Sequence, residues 1–182
     1  MIGSTPREMR MDVNELPVWD MTDNPTGCCP RFDPSAWEDR RLHWQDKPFA
    51  RATTHSLFHI PLDMGAVFQR TYGAIEAAGA QPTDGFVVLS RDLSPWKAEH
   101  LFAVKGPAPG LDIVRLSGDF RTKVFEGPYS KAPKWIEATR DAFAEAGQTA
   151  GTVHLFYTTC PKCAKTYGKN YVVAIAELAS GA

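Results

Sequence analysis

The sequence predicts an α+β fold in which two pseudo-symmetric β-α-β-β repeats form an antiparallel sheet with two helices on one face. The first observation is a pair of amphipathic segments, at about residues 63–78 and 133–146, which each end at a glycine. The second is that strand-like apolar segments follow both helices at the same offset. The third is that each half closes with two such segments joined by a loop, as in a β-hairpin. The repeats cover about residues 49–106 and 111–178.

Residues 1–48 precede the repeats and predict an N-terminal arm that packs on a domain of residues 49–182. Three of the five tryptophans lie in this arm, namely Trp19, Trp37 and Trp44. A disordered tail would not carry this much aromatic mass. Asp33 and Pro34 are typical of a helix N-cap and first turn, so they predict a short helix over residues 33–44. The helical spacing would place the two later tryptophans on one face.

The first repeat begins with a strand at about residues 49–60, which leads into the first helix. Gly79 follows this helix and is expected to cap it in the left-handed conformation. The two strands that close the repeat are "GFVVLSRD" and "AEHLFAVKG". Both are rich in apolar and β-branched residues, which favours strands at this length.

The second repeat has the same order of elements. It begins with the strand "LSGDFRTKVFEG", continues into the second helix and its cap Gly147, and closes with "VHLFYTTC" and "YVVAIAEL". Its final loop is longer than that of the first repeat and contains the sequence C-P-K-C. We expect Cys160 and Cys163 to lie in this hairpin turn, and not at the start of a helix as in thioredoxin-like proteins.

Composition excludes several classes of function. The net charge of −1 provides no electrostatic basis for binding nucleic acid or an anionic membrane. No apolar run has the length of a membrane span, and the first twenty residues have no apolar export signal. We therefore expect a cytoplasmic protein whose cysteines are reduced. The oligomeric state is not predicted.

Four cysteines form the strongest motif of the chain. Cys28 and Cys29 are adjacent in the arm, and the C-P-K-C box supplies Cys160 and Cys163. Together they offer the four ligands of one structural zinc ion, provided that the arm folds over the hairpin. Because adjacent residues rarely both point at one ion, His43 or His154 is an alternative ligand in place of a cysteine. A redox or nucleophilic dithiol, activated by the nearby lysines, is an alternative, and so are free thiols packed in a turn. No other cofactor is required.

The strand-to-helix junction "VFEGPY" at residues 124–129 resembles that of the gyrase-inhibitor-like (GyrI-like) family. The helix with Trp135 and Ile136, and the closing hairpin "HLFYTTC…YVVAIAEL", extend the resemblance over about residues 49–178. The family provides effector-binding domains of multidrug-responsive regulators and also stand-alone proteins. The resemblance implies a groove between the repeats that binds flat, apolar, often cationic molecules. It also implies possible hydrolysis, because some stand-alone members hydrolyse reactive cyclopropane compounds.

This chain departs from the family pattern in two ways. Many members have an acidic residue in the last hairpin, where this chain has Lys169 and Asn170. No helix-turn-helix or coiled coil precedes the domain, so the stand-alone type is expected. The leading hypothesis is a small-molecule binding protein that holds a flat apolar ligand in the cleft between the repeats, with a small apolar or cationic molecule as its partner. The alternatives are a hydrolase of reactive apolar molecules and a small zinc- or thiol-centred protein.

The candidate ligand-binding residues are mostly aromatic side chains at corresponding places in the repeats. They are Phe58, Trp96, Glu99, Phe125, Tyr129, Trp135 and Tyr157. Flat rings bind flat ligands by stacking, and the faces of Trp and Tyr attract cations. Ordinary core packing is the alternative for each of them.

If the protein is a hydrolase, the candidate catalytic residues are Glu126, Tyr129 and Glu177. Glu99 is a further candidate for the carboxylate, and Tyr157 is a further candidate for the tyrosine that helps it to activate water. A carboxylate at an apolar cleft can serve as a general acid or base. A solvated surface charge is the alternative. The histidines of the repeats show no metal-binding spacing, and each is expected to be a strand histidine with satisfied hydrogen bonds.

Overall fold

An antiparallel β-barrel forms the centre of the protein in a computed structural model that describes residues 12–83 and 85–179. The strands are β1 (Arg41–Leu57), β2 (Ile60–Pro61), β3 (Val88–Ser94), β4 (Lys97–Ala103), β5 (Asp112–Glu126), β6 (Ala150–Tyr157) and β7 (Tyr171–Leu178). The helices are α1 (Met64–Ala77), α2 (Ala132–Glu145) and α3 (Pro161–Tyr167). The prediction that the first twenty residues contain no export signal falls partly on residues 1–11, which lie outside the described residues.

The sheet of the described residues has seven strands in the order β2-β1-β4-β3-β6-β7-β5. Strand β1 also pairs with β5, from Arg41 opposite Arg121 to Arg51 opposite Asp112. This pairing closes every strand except β2 into a barrel, and all the pairings are antiparallel. The antiparallel sheet is confirmed, and its closure is a feature that the sequence did not predict.

The helices and strands follow one another in the predicted order of two β-α-β-β units, with β2 and α3 inserted. Helices α1 and α2 lie within one or two residues of their predicted bounds. Gly79 and Gly147 both have the left-handed conformation expected of caps, with φ of 62° and 72°. The pseudo-symmetry of the two halves stays a prediction.

The barrel interior is an apolar core that the arm completes. Strand residues such as Phe49, Leu89, Phe156 and Ile175 are buried there. The same cluster contains side chains of the arm, namely Leu16, Trp19, Phe32 and Trp37. The rings of Trp19 and Phe156 lie 5.6 Å apart. The arm therefore plugs the end of the barrel at which β6 ends and β7 begins.

The two long helices pack outside the barrel. Helix α1 buries Val67, Thr71 and Ile75, which recur at the i, i+4, i+8 spacing of one helical face. Helix α2 buries Trp135, Thr139 and Phe143 at the same spacing. No helix in the described part of the chain is both long and apolar enough to cross a membrane.

The short helix predicted over residues 33–44 is wrong in extent. One turn of 3-10 helix covers Pro34–Ala36, and Asp33 accepts a hydrogen bond from the Ser35 amide as its cap. Strand β1 then begins at Arg41, because Leu42 and Trp44 alternate inward with a period of two. Both predicted tryptophans are buried, but Trp37 follows the 3-10 turn and Trp44 lies in the strand.

The hydroxyl of Thr122 in β5 holds the end of this turn. It donates to the carbonyl oxygen of Trp37, and it accepts from the Arg40 amide at 2.9 Å. The Thr122 amide in turn donates to the Arg40 carbonyl oxygen at 2.9 Å. These bonds to the barrel satisfy backbone groups that a longer helix would have paired within itself.

Candidate functional site

A cavity of about 230 Å³ lies at the end of the barrel opposite the arm. Its polar lining comes from six strands and consists of Arg51, Arg91, Glu99, Ser117, Thr152, His154 and Glu177. Its apolar lining consists of Leu101, Val114, Leu116 and Phe120. Small-molecule sites typically combine an apolar wall with a few convergent polar groups. This cavity has such a wall, but polar residues form the larger part of its lining.

Glu99 and Arg91 form an ion pair within this cavity. They lie directly opposite each other on β4 and β3, and the Arg91 Nε donates to the Glu99 Oε2 at 2.7 Å. The Glu99 side chain is only 8% exposed, whereas that of Arg91 is 38% exposed. Arg51 has its own partner, because its Nη2 lies 2.6 Å from the Asp112 Oδ2.

Glu177 is different, because its carboxylate has no ion-pair partner among the residues that the structure describes. It lies near the end of β7, opposite Phe120 of β5, and is half-buried. Gly151 runs close to it, and a β-carbon there would meet the Glu177 Oε2 at 3.6 Å. Glu177 therefore contributes an uncompensated negative charge to the lining.

His154 also lines the cavity and is 4% exposed. Burial lowers the pKa of His154 to about 4, with a further contribution from Arg91, so the ring is neutral near pH 7. Its Nδ1 is buried without a hydrogen-bond partner within residues 12–83 and 85–179. A buried polar atom of this kind is a hydrogen-bonding position that a bound molecule or water could use.

Sequence reasoning identified Glu99 and Glu177 and missed Arg91 and His154. The expectation of satisfied hydrogen bonds is confirmed for His100, whose ring nitrogens lie 2.8 Å from the Ser90 hydroxyl and 2.9 Å from that of Thr54. It is wrong for His154. The β3–β4 hairpin register, which places Arg91 opposite Glu99, was a signal that could have identified the arginine.

The predicted aromatic residues do not line this cavity. Phe58 and Trp96 form an exposed pair outside it, with ring centroids 4.8 Å apart. The other four belong to the apolar cluster beneath α2. There Phe125 stacks on Trp135 at 5.7 Å and Tyr129 contacts Tyr157 at the same distance.

The predicted Glu126, Tyr129 and Glu177 are likewise not brought together at the cavity. Glu126 is exposed at the end of β5, opposite Tyr171, and is not part of the lining. The Tyr129 hydroxyl donates to the Thr159 carbonyl oxygen at 2.6 Å. Of these three residues, only Glu177 lines the cavity.

A second cavity of about 220 Å³ lies on the outer surface beside α2 and is lined by Arg121, Asp39, Glu38 and Lys123, among others. Its charges are matched, since Arg121 contacts Asp39 and Lys123 lies 3.9 Å from Glu38. The Arg121 guanidinium also donates to the Gln148 side chain at 2.7 Å. Because of these contacts, the second cavity has fewer unpaired polar groups than the barrel-end cavity.

The four cysteines meet at the other end of the barrel. The Sγ atoms of Cys28, Cys29, Cys160 and Cys163 all lie within 4.8 Å of one another, which is compatible with a metal site. Cys29 and Cys163 are buried, and Cys28 is exposed. The loop of the arm that carries the first pair is held by a hydrogen bond from the Tyr167 hydroxyl to the Cys29 carbonyl oxygen at 2.6 Å.

The prediction that the C-P-K-C box is a hairpin turn is wrong. Cys160 is the N-cap of α3, and its Sγ accepts a hydrogen bond from the Cys163 amide at 3.5 Å. Pro161 occupies the first turn of this short helix, and Gly168 ends it in the left-handed conformation with φ of 68°. Proline at the start and glycine after the end are both typical helix signals.

Comparison with known proteins identifies the family. Residues 19–178 match the model of a family described as "Bacterial hydrolase". Among solved structures, an uncharacterized conserved protein from Listeria innocua has a TM-score of 0.54 and 12% identity, covering 78% of this chain and 92% of its own. This similarity supports the fold alone.

A second structure, that of SAV2435 bound to tetraphenylphosphonium, has a TM-score of 0.47 and 12% identity, covering 79% of this chain and 94% of its own. A similarity at this level carries no argument about function. None of the curated proteins matches the chain. Because the family model spans most of its length, the chain belongs to the bacterial hydrolase family.

Proposed function

We propose that the protein binds a small molecule in the barrel-end cavity, and that this molecule is partly apolar and positively charged. The observation that carries the proposal is the carboxylate of Glu177, which lines an apolar-walled cavity and has no ion-pair partner among the described residues. A cavity with a charged group next to an apolar wall binds most favourably a ligand that pairs with the charge and also covers the wall.

The charges of the lining support a cation in preference to an anion. Arg91 compensates Glu99, and Arg51 is paired with Asp112, so neither arginine is available without breaking an existing ion pair. His154 is neutral near pH 7 because burial lowers its pKa to about 4. Glu177 is therefore the remaining charge, and it would favour a cation by Coulomb attraction in partly desolvated surroundings.

The size of the cavity limits the ligand. At about 230 Å³ it is smaller than the cavities that bind drug-sized molecules, which have volumes of roughly 300–1,000 Å³. One aromatic ring with a compact cationic group would fill it. The GyrI-like resemblance supports the same class of ligand, since that family binds flat, apolar, often cationic molecules.

Calorimetric titration with phenyltrimethylammonium tests this proposal, and neutral tert-butylbenzene, which has the same shape, serves as the comparison ligand. We expect the wild-type protein to bind the cation at least tenfold more tightly than the neutral compound. Glu177→Gln should remove this preference, since it keeps the shape of the side chain and removes its charge. Glu76→Gln, an exposed change on α1, should keep it. Equal binding of the cation by wild type and Glu177→Gln would overturn the proposal.

Hydrolysis of the bound molecule is a second candidate function, favoured by membership of the bacterial hydrolase family. Hydrolysis requires a base that activates water beside the substrate. Glu177 offers a carboxylate for this role, and the neutral His154 offers an unpartnered Nδ1. The predicted pairing of a carboxylate with Tyr129 is less well supported, because the Tyr129 hydroxyl is bonded to Thr159.

The hydrolysis candidate is tested with p-nitrophenyl acetate, a small activated ester. We expect Glu177→Gln to lower the rate of ester hydrolysis, measured above the uncatalysed background, at least tenfold. Competition by the neutral tert-butylbenzene shows whether the ester still occupies the cavity of this variant. Glu99→Gln and Glu126→Gln are measured beside it, because both were candidates in the sequence. Undiminished hydrolysis in all three variants would exclude a carboxylate base and leave the binding proposal intact.

A further inference from the structure

The cysteine cluster has the dimensions of a tetrahedral metal site. The Sγ atom of Cys28 lies 3.7 Å from that of Cys29 and 4.0 Å from that of Cys160. A tetrahedral ion with zinc–sulfur bonds of about 2.3 Å holds its sulfurs about 3.8 Å apart. The observed spacings match this edge length, and every pair of the four sulfurs lies within 4.8 Å.

The backbone around the sulfurs is arranged for negatively charged thiolates. The Cys160 amide donates to the Cys29 Sγ at 3.4 Å, and the Cys163 amide donates to the Cys160 Sγ at 3.5 Å. The Thr26 hydroxyl lies 3.3 Å from the Cys163 Sγ. These N–H groups stabilise charge on sulfur, as they do in metal knuckles.

Adjacent residues rarely point at the same ion, and a turn of the arm makes it possible here. Gly27 has a φ of 66°, a left-handed conformation that reverses the chain just before Cys28. The Gly27 amide donates to the Asn24 carbonyl oxygen at 3.1 Å, which closes the turn. Both thiols of the arm thereby lie close to those of Cys160, the N-cap of α3, and Cys163, in its first turn.

We propose that Cys28, Cys29, Cys160 and Cys163 bind one Zn²⁺ ion as a structural four-thiolate site. Four thiols that bind the ion release four protons, and the complex carries two negative charges. The amide donors to the sulfurs offset part of this charge, and the exposed Lys162 and Lys165 lie on the same short helix. Four sulfur ligands in a tetrahedron select zinc or iron and leave no open position for catalysis.

The zinc ion fastens the arm to the barrel. Two of its ligands belong to the arm, and the other two are the N-cap of α3 and a residue of its first turn, between β6 and β7. The ion therefore links segments that lie far apart in sequence. The same loop of the arm leads into Phe32, whose ring contacts Phe156 and Tyr171 of these strands at 6.3 and 6.1 Å. The ion thus stabilises the plug at one end of the barrel, away from the proposed ligand cavity at the other end.

The metal content of protein purified under reducing conditions tests the site. We expect one equivalent of zinc per chain, retained against a competing colorimetric chelator. Each single Cys→Ser variant should lose most of its zinc under the same conditions. Lys162→Ala changes the same turn and leaves all four sulfurs, so it should keep one equivalent. Zinc far below one equivalent in the wild type would overturn the proposal, as would iron in its place or full retention in the Cys→Ser variants.

X-ray absorption at the zinc edge keeps the test independent of how the variants fold, because it uses the wild-type protein. We expect four sulfur neighbours at about 2.3 Å and no nitrogen or oxygen neighbour. A mixed shell would show that one of the cysteines is not a ligand. A mass lower by two hydrogens, with no metal bound, would show a disulfide instead and would also overturn the proposal.

Limited trypsin digestion tests the fastening role. Arg31 is an exposed site in the arm, and Lys97 is an exposed site at the start of β4, distant in sequence from the cysteines. We expect removal of zinc by the chelator to speed cleavage after Arg31 at least tenfold and to leave cleavage after Lys97 nearly unchanged. Equal rates after Arg31 with and without zinc would show that the ion does not hold the arm.

Discussion

The carboxylate of Glu99 and the guanidinium of Arg91 lie 2.7 Å apart on the interior face of the β3–β4 hairpin. Their exposure is unequal, since the Glu99 side chain is 8% exposed and that of Arg91 is 38% exposed. The carboxylate thus depends on its partner far more than the guanidinium does, because water can solvate Arg91 but hardly reaches Glu99.

This asymmetry predicts that Arg91→Met destabilises the protein more than Glu99→Gln does. Loss of the arginine leaves a buried carboxylate unpaired, and we expect the free energy of unfolding to fall by about 3 kcal/mol. Loss of the carboxylate leaves an arginine that can turn to solvent, and the expected fall is about 1 kcal/mol. Urea unfolding at pH 7 measures both changes.

Arg70→Met serves as the control for the arginine, because Arg70 is exposed on α1. We expect its unfolding free energy to stay within about 0.5 kcal/mol of wild type. If Glu99→Gln proved as destabilising as Arg91→Met, the Glu99 carboxylate would have to make a stabilising interaction besides its ion pair with Arg91.

Two buried histidines predict a fall in stability at mildly acidic pH. Burial lowers the pKa values of His100 and His154 to about 4, whereas the unfolded chain titrates near the ordinary value of 6.5. Between these values the unfolded state binds a proton that the folded state does not, so stability decreases as the pH falls. Each histidine contributes a slope of up to about 1.4 kcal/mol per pH unit in this window.

Urea unfolding at several pH values between 7 and 4.5 measures this slope in wild type, His154→Gln and His100→Gln. The slope of each variant should be smaller than that of wild type by up to about 1.4 kcal/mol per pH unit, because one titrating group has been removed. Several carboxyl groups, such as Asp39 beside Arg121, have lowered pKa values and contribute their own loss of stability at more acidic pH, below about 4. An unchanged slope in both variants would show that neither ring is held neutral by the fold.

The sequence predicted the local elements well and the long-range pairing poorly. The apolar spacing of Val67, Thr71 and Ile75 specifies α1 by itself, because a helix face depends only on nearby residues. Closure of the barrel instead depends on β1 pairing with β5, including an irregular register between Trp44 and Lys47. The alternation of apolar residues in β1 and β5 does not specify that these two strands pair with each other. The sequence therefore predicted an antiparallel sheet without its closure.

The candidate sites show the same difference between local features, which the sequence specifies, and long-range contacts, which it does not. Glu177 alternates with Val173 and Ile175 on β7, and this period of two is a sequence signal for an acid on the inward face. The predicted aromatic residues do not line the barrel-end cavity, because Trp135 packs in the cluster beneath α2, and Phe58 and Trp96 lie exposed in the turns after β1 and β3. Their part in ligand binding stays a prediction. The four cysteines did meet, although the sequence set this only as a condition on where the arm packs.

The arm is expected to contribute to global stability through its aromatic side chains. Phe32 is 8% exposed, and its ring contacts those of Trp19 at 5.5 Å and Phe156 at 6.3 Å. Phe32→Ala should therefore lower the free energy of unfolding by about 3–5 kcal/mol, which is typical of a large aromatic residue removed from a core. Urea unfolding in the presence of zinc measures this change while the metal content is held constant.

Val18→Ala is the matched control, because Val18 lies in the same arm and is 79% exposed. Its unfolding free energy should stay within about 0.5 kcal/mol of wild type. A loss from Phe32→Ala as small as that from Val18→Ala would mean that the arm detaches before the barrel unfolds. In that case the slope of the unfolding free energy against urea concentration would also be the same in Phe32→Ala and wild type. The surface that the arm buries would already be exposed before the cooperative transition of the barrel in both proteins.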